Sequence, residues 1–450
     1  MDAPFANRLL PELLLAITTF TDQSTIFRLV AVCRYWRNVL IGTATLWASV
    51  DCRKVSRTSI LLQRSKSSPI DVTIDSFVPE AISLVAGHTH RMRSIDVNLP
   101  SHRFGDVLPL LDGLAPMLQT MRMRRREESS PIEHLPLYSS LFRGQFPALR
   151  TLHLDGYPLD PARSAPVITS GLTTLILDNG QHYHPHYLFE YLEHCKNLVY
   201  LKIDLPDLEE IIPASRIVAL PNLRELRSVL SPLTALQHLS FPPSTNLIIG
   251  PRFRKHLEAP PPTAVWTQDA LPQLFESRAI KGIRVAFDAF NCLVALSGPH
   301  LVFMEQVKAH SSRHNSFHSD CLDSLRSLPI TAAEDLALLQ SPRRPFTGIL
   351  RQQSCTRLLL QMPELKRIVL DTSVVLPFAR ALEWFNGQVP CPKLQSLVVI
   401  RREGHENRLQ NRLLSLSNRR KDHGCPLVCD VGSPGLSNWW QESIRLERIV

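Results

Sequence analysis

Apolar residues near the start of the chain recur every three or four positions. Leu10, Leu14 and Ile17 keep this spacing, with Leu13 and Phe20 beside them. So do Ile26, Leu29, Val30 and Cys33, and then Val32, Trp36, Val39 and Leu40. That period places them on helix faces, so two or three short helices are expected between residues 10 and 47. Pro11 suits a first helical turn, and Ser24 and Thr25 offer N-caps ahead of Ile26. Gly42 stands where a helix end favours a left-handed residue. Downstream the pattern changes to Leu-x-x-Leu-x-Leu: Leu149-Leu152-Leu154, Leu172-Leu175-Leu177 and Leu198-Leu201-Ile203, with Leu223-Leu226 as a partial fourth copy. Successive starts lie 23, 26 and 25 residues apart. Weaker copies are Met92-Ile95-Val97, Leu118-Met121-Met123, Leu365-Ile368-Leu370 and Leu394-Leu397-Val399, and Val72-Ile74 marks an earlier strand. Alternation within each copy predicts a short strand burying every second residue, and the regular spacing predicts stacked units that share one core.

The regularity fades in FPPSTNLIIG and LEAPPPTAVW, where prolines arrive without a period, so irregular loops are expected around 242–265. Residues 281–307 read as one or two buried strands about Ser297-Gly298-Pro299, in further degenerate repeats, and 320–340 read as helical. The tail carries Trp439 and Trp440 ahead of Ile444, Leu446 and Ile449, the pattern of a terminal cap on a stacked array.

Composition narrows the class. The chain has 450 residues, 44% of them apolar and 20% charged, which fits folded domains and exceeds what one core usually serves. Nine scattered cysteines, an odd number, fit a reducing compartment better than a disulfide framework. Asp2 precedes the first arginine and Glu12 interrupts the first apolar run, so both halves of a signal peptide are missing. No window reaches the ~18 apolar residues needed to span a bilayer. An intracellular protein, cytoplasmic and/or nuclear, with no membrane partner, is the expectation. The net charge of +9 is spread along the whole length. Only residues 121–126, MRMRRR, are dense in arginine, and they lack the neighbouring aromatics that would stack bases. A solvated face or loop is expected there, and nucleic acid is not an expected partner.

A helical unit of about 40 residues cannot bury so many large apolar groups by itself. Trp36 and Trp47 are therefore either anchors of a protein interface or fasteners to the rest of the chain. Leu10-Pro11-Glu12, Leu14, Ile17, Phe20, Ile26, Leu29, Val32-Cys33-Arg34, Trp36-Arg37 and Leu46-Trp47 closely resemble the F-box. In that family the motif is a three-helix module that packs on a Skp-type adaptor, which links it to a cullin-RING ubiquitin ligase. The resemblance implies that Leu10, Pro11, Leu14, Ile17, Val32, Trp36, Leu46 and Trp47 lie at or support the adaptor interface. It also implies a non-catalytic receptor for a protein substrate. Phe20 replaces the usual leucine and Thr25 a frequent aspartate, so the second helix is expected to rely on a hydroxyl cap.

The later period resembles leucine-rich repeats, although Tyr157, Gly180 and Pro206 stand where those repeats carry Asn or Cys. RSKSSPIDVTID and HTHRMRSIDV resemble the linker and first strands of F-box proteins abundant in fungi. The expected fold is mixed α/β: a three-helix F-box over 1–54, then an irregular leucine-rich-repeat-like solenoid over 55–450, looser around 242–265 and 308–320.

Asp75, Asp155, Asp178, Asp204 and Asp371 each follow the last apolar strand position. By strand parity they point away from the core, as a strip for a basic partner, or they close local turns. His310, His314 and His318, with Asp320 and Cys321, are spaced like helical metal ligands, but their polar setting favours a mobile loop. His182, His184 and His186 alternate around Pro185, again as in a loop, and Cys425, Cys429 and His423 lack a second cysteine pair. No metal or cofactor is expected. Phosphate-binding loop, nucleophile elbow and zincin motifs are all missing from the sequence. A non-enzymatic receptor is the reading; its alternative is a repeat scaffold that delivers no substrate.

Overall fold

The computed structural model describes residues 9–126, 146–156, 171–178, 185–203, 217–229, 236, 238–250, 279–287, 291–308, 317–340, 350–383, 389–400 and 406–432. Three short helices open it: α1 (Pro11–Thr18), α2 (Gln23–Leu29) and α3 (Arg34–Gly42), followed by a 3-10 turn over Ala44–Trp47. Pro11 starts α1, as its fixed backbone angle favours. Asp22, not Ser24 or Thr25, caps α2: its carboxylate accepts from the Thr25 backbone N–H at 2.9 Å and from the Ser24 hydroxyl at 2.7 Å. An anionic acceptor one residue before the helix suits both the free N–H groups and the positive end of the helix dipole. Gly42 is the last helical residue of α3, which ends because Thr43 turns extended.

The strands fall into two compact units. The first continues through β1 (Ser49–Asp51), α4 (Val55–Arg64), β2 (Ile70–Ile74), α5 (Pro79–Ala86), β3 (Met92–Leu99), α6 (Ser101–Val107), β4 (Thr120–Arg125), β5 (Thr151–Asp155), β6 (Thr174–Asp178), β7 (Tyr200–Ile203) and β8 (Val218–Ala219). A helix over Pro185–His194 precedes β7. Strands β1 to β7 lie side by side in chain order and are all parallel. Val50, Val72, Ile95, Met121, Leu152, Leu175 and Leu201 share one cross-strand row, and all are buried. Ile74, Val97, Met123, Leu154, Leu177 and Ile203 form the next core row. The helical module belongs to this same unit, so its end near residue 54 is not a boundary between compact bodies. Arg91 is buried and donates to Leu62 O, Ser65 Oγ and Ser68 O, satisfying the carbonyl end of α4.

The second unit holds β9 (Glu225–Val229), β10 (Leu239–Ser240), β11 (Asn246–Gly250), β12 (Gly282–Phe287), β13 (Asn291–Gly298), β14 (Leu301–Lys308), β15 (Asp335–Gln340), β16 (Arg367–Asp371), β17 (Ser396–Ile400) and β18 (Val428–Gly432). Their order in the sheet is β9-β11-β14-β13-β12-β15-β16-β17-β18. Here the sequence expectations need three corrections. Residues 282–308 form three strands, with β13 antiparallel to both β12 and β14, so the parallel series is interrupted by a hairpin insertion. Part of the expected loop over 242–265 is strand β11: Pro242 and Pro243 precede it rather than interrupt it, which leaves its amides free to pair with β9 and β14. Residues 320–340 are not one helix. A helix over Phe317–Ser324, whose first four residues fall in the expected loop 308–320, is followed by a 3-10 turn, and beyond Pro329 the alternating DLALL becomes β15. The tail cap at Trp439 and Trp440 lies outside the described residues.

If parity fixes this sheet, Leu175→Ala should destabilise the protein by about 3 kcal/mol in denaturant titrations. Ile176→Ser, on the opposite face of the same strand, should cost less than about 1 kcal/mol. Equal effects would contradict the assigned faces.

Candidate functional site

Helix α1 carries two apolar stripes, and the module has room to bury only one. Leu14 and Thr18 turn inward and are buried, with α3 packed against α1 and α2. Leu10, Leu13, Ile17 and Phe20, at helical spacing, turn outward with exposures of 61%, 51%, 48% and 92%. Val32, in the turn between α2 and α3, adds a further exposed side chain at 53%. Pro11 is exposed, and Trp36 and Leu46 are half-buried. The expected residues therefore divide: Leu10, Pro11, Ile17 and Val32 form surface, while Leu14 and Trp47 are interior. Leu13 and Phe20 join this surface beyond the expected residues, and the i, i+3, i+7, i+10 spacing of 10, 13, 17 and 20 is the signal for them. Exposed apolar side chains in such concentration are the usual mark of a protein-docking surface.

Trp47 answers the fastener-or-anchor question for itself. It is fully buried, donates from Nε1 to Leu40 O at 2.8 Å, and meets the edge of Phe27 with ring centroids 5.1 Å apart. Arg64 on α4 lies 4.4 Å over the Trp47 ring and 5.6 Å from that of Phe27, and Arg57 lies 5.3 Å from Phe27. Arg57 also pairs with Asp51 at 3.2 Å, and the Gln23 amide donates to Ser49 O at 2.7 Å. The helices are thus stacked onto α4 and β1 through aromatic, cationic and polar contacts at one joint.

The aspartates do not form an open acidic strip. Arg53 pairs with Asp75, and its hydrogen bonds hold that carboxyl below the usual carboxylate range. Asp178 meets His153 at 2.9 Å and Lys202 at 3.2 Å; burial pushes it up, and these partners overcome that to leave it lowered. Asp155 sits beside Asp178 in register, half-buried and itself engaged in an interaction. Asp371 is buried, contrary to the outward direction expected, and accepts from the Ser373 N–H and hydroxyl at 3.2 and 3.1 Å. It closes a turn, since β16 ends there and the next N–H groups need an acceptor. Asp204 lies outside the described residues.

Of MRMRRR, residues 121–125 belong to strand β4 and Arg126 follows it: Met121 and Met123 are buried, Arg122 and Arg126 are exposed as a solvated face would have them, and Arg124 is bonded to Asp96 at 2.7 Å. His310 and His314 lie outside the described residues. His318 is buried in its helix, 5.4 Å from Phe287 ring to ring, and not on a loop. Among the described residues no three His, Cys, Asp or Glu side chains are grouped to hold a metal ion. All nine cysteines are free thiols, and burial pushes Cys52, Cys195, Cys355 and Cys391 up to about 12. No helix among the described residues is long and apolar enough to cross a membrane.

A family model described as F-box-like matches residues 9–53, the segment that carries the exposed stripe and the Trp47 joint. The N-terminal module is thus an F-box-like domain. No curated protein matches the chain.

Hydrogen bonds from Thr25 and Ser24 lower Asp22 to about 2. A carboxyl with a lowered folded pKa stabilises above its unfolded value of ~3.9 and loses that contribution as pH falls through the folded one. The stability difference between wild type and Asp22→Ala, followed by circular dichroism, should be constant above about pH 4 and shrink between pH 4 and 2. A difference that stays constant to pH 2 would contradict the cap.

Proposed function

We propose that the chain is the substrate-recognition subunit of a Skp-cullin-F-box type ubiquitin ligase. Its F-box-like domain supports that adaptor role, and proteins built on this domain are generally non-catalytic. The observation that carries the reading is the outward stripe of Leu10, Leu13, Ile17 and Phe20 with Val32, all within the matched segment. In this reading Leu10, Pro11, Ile17 and Val32 contact the Skp-type adaptor, Trp36 and Leu46 border it, and Leu14 and Trp47 support the helices from behind. The F-box takes residues 1–54, and residues 55–450 form a divergent leucine-rich-repeat-like region, of the type found in fungal F-box proteins, that holds a protein target. The protein works in the cytoplasm and/or nucleus. Binding is the whole mechanism: a target lysine held near the charged ubiquitin carrier reacts at a raised effective concentration. The Trp47–Arg64–Phe27 joint serves this by fixing the adaptor-facing helices to the first strands of the recognition region.

Co-purification with a Skp-type adaptor tests the reading. Ile17→Asp and Val32→Asp place charges at exposed positions, so both variants should fold and bind at least about tenfold more weakly. Folded wild-type protein that fails to bind would overturn it. Leu14→Asp is unsuitable, because that side chain is fully buried.

A further inference from the structure

The first and last strands of the sheet differ in how their inner sides are covered. At β1 the N-terminal helices are joined to the strand, and Val50 and Trp47 are 1% and 0% exposed. At β18 the inward side chains Cys429 and Val431 are only half-buried. Their register partners, Leu397 and Val399 on β17 and then Ile368 and Leu370 on β16, have no exposure at all. Among the described residues β18 pairs with β17 alone, so its other edge has no strand beside it. The helix over Glu406–Asp422 carries the opening further. Its Arg412 and Arg419 turn to Glu383 at 2.7 and 3.6 Å, which puts Leu414, 63% exposed, on the far side. Ser417, one turn on from Leu414, donates to Leu427 O at 2.6 Å, just before β18. Leu414, Cys429 and Val431 therefore belong to one apolar opening at the end of the parallel series.

We propose that the chain's own residues 433–450 seat on this opening, with Trp439, Trp440, Ile444 and Leu446 over Cys429, Val431 and Leu414. The inference does not rest on the receptor reading. The segment follows directly from Gly432, the last residue of β18, so it starts at the edge it would cover. Its 18 residues can reach about 59 Å when extended, against about 17 Å for the length of β18. It lacks the Leu-x-x-Leu-x-Leu pattern of a further strand unit, yet it concentrates large apolar side chains. Stacked arrays need such a covering at their ends, because the last unit has no neighbour to bury its inner face. Glu442 and Glu447 are balanced by Arg445 and Arg448, so the segment brings no net side-chain charge to an apolar surface.

Hydrogen exchange read by mass spectrometry, on the full-length chain and on one shortened to end at Gly432, tests the proposal. Shortening should speed exchange at residues 413–418 and 428–431 at least about tenfold and leave β2 to β6 unchanged. A synthetic peptide of residues 433–450 should restore protection at the same residues. Trp439→Ser with Trp440→Ser in the full-length chain should reproduce the shortened form. Leu414→Asp, at an exposed position, should fold and weaken the peptide's effect about tenfold. Equal exchange in the long and short chains, or peptide protection confined to other residues, would overturn the proposal. So would protection in the full-length chain that fades on dilution, which would make a second copy the occupant. If the shortened chain does not fold, Leu414→Asp in the full-length chain decides: faster exchange at 428–431 supports the seat, and unchanged exchange overturns it.

Discussion

Parallel strand register is the constraint on which the rest depends. Within each strand successive side chains face opposite ways, and an in-register parallel neighbour inherits the same assignment. Val50 thereby aligns with Val72, and the row continues through Ile95, Met121 and Leu152 to Leu175 and Leu201 without an inward polar residue. The same rule that builds the core composes the opposite face, so each outward row is as ordered as the inward one. This is why Arg284, Ala337, Val369, Val398 and Asp430 stand in line although up to 53 residues separate neighbours in sequence.

Buried arginines close the places where the ladder must turn. Arg91 donates to two carbonyls and a hydroxyl around the end of α4, and Arg420 donates to Leu382 O, Pro390 O and Cys391 O in the second unit. Among the described residues neither guanidinium forms a salt bridge with a carboxylate. A planar guanidinium can serve several carbonyls that a helix end or loop leaves without donors. Burial lowers both arginines from their usual value, so these sites spend some charge solvation to satisfy backbone.

The N-terminal module meets the opposite problem. Three short helices have more apolar side chains than inward positions, and the surplus is not scattered. Leu14, Ile26, Leu40 and Trp47 fill the interior, while Leu10, Leu13, Ile17 and Phe20 are exposed along and beside α1, and Val32 is exposed in the turn between α2 and α3. A surface of this kind is costly in water unless something covers it, which is the physical content of reading it as an interface.

Local patterning determined much of this protein. The 3-4 spacing of Leu10, Leu14 and Ile17 is enough for a helix, and Leu149-Leu152-Leu154 is enough for a strand, because helices and strands impose their periods on whatever sequence will bury one face. The F-box-like module was legible for the same reason: its anchors lie within 45 residues of one another. What the sequence left open depends on neighbours distant along the chain. Asp371 follows its strand as Asp178 does, yet one is buried against Ser373 and the other meets His153 and Lys202, because different elements stand beside each. The alternating residues of β12 to β14 are equally compatible with parallel repeats and with a hairpin, and only pairing to β11 and β15 selects the latter. Trp36 and Trp47 look alike in sequence, but tertiary packing leaves one half-buried and places the other wholly under Arg64, since burial is decided by what surrounds a side chain rather than by the side chain itself.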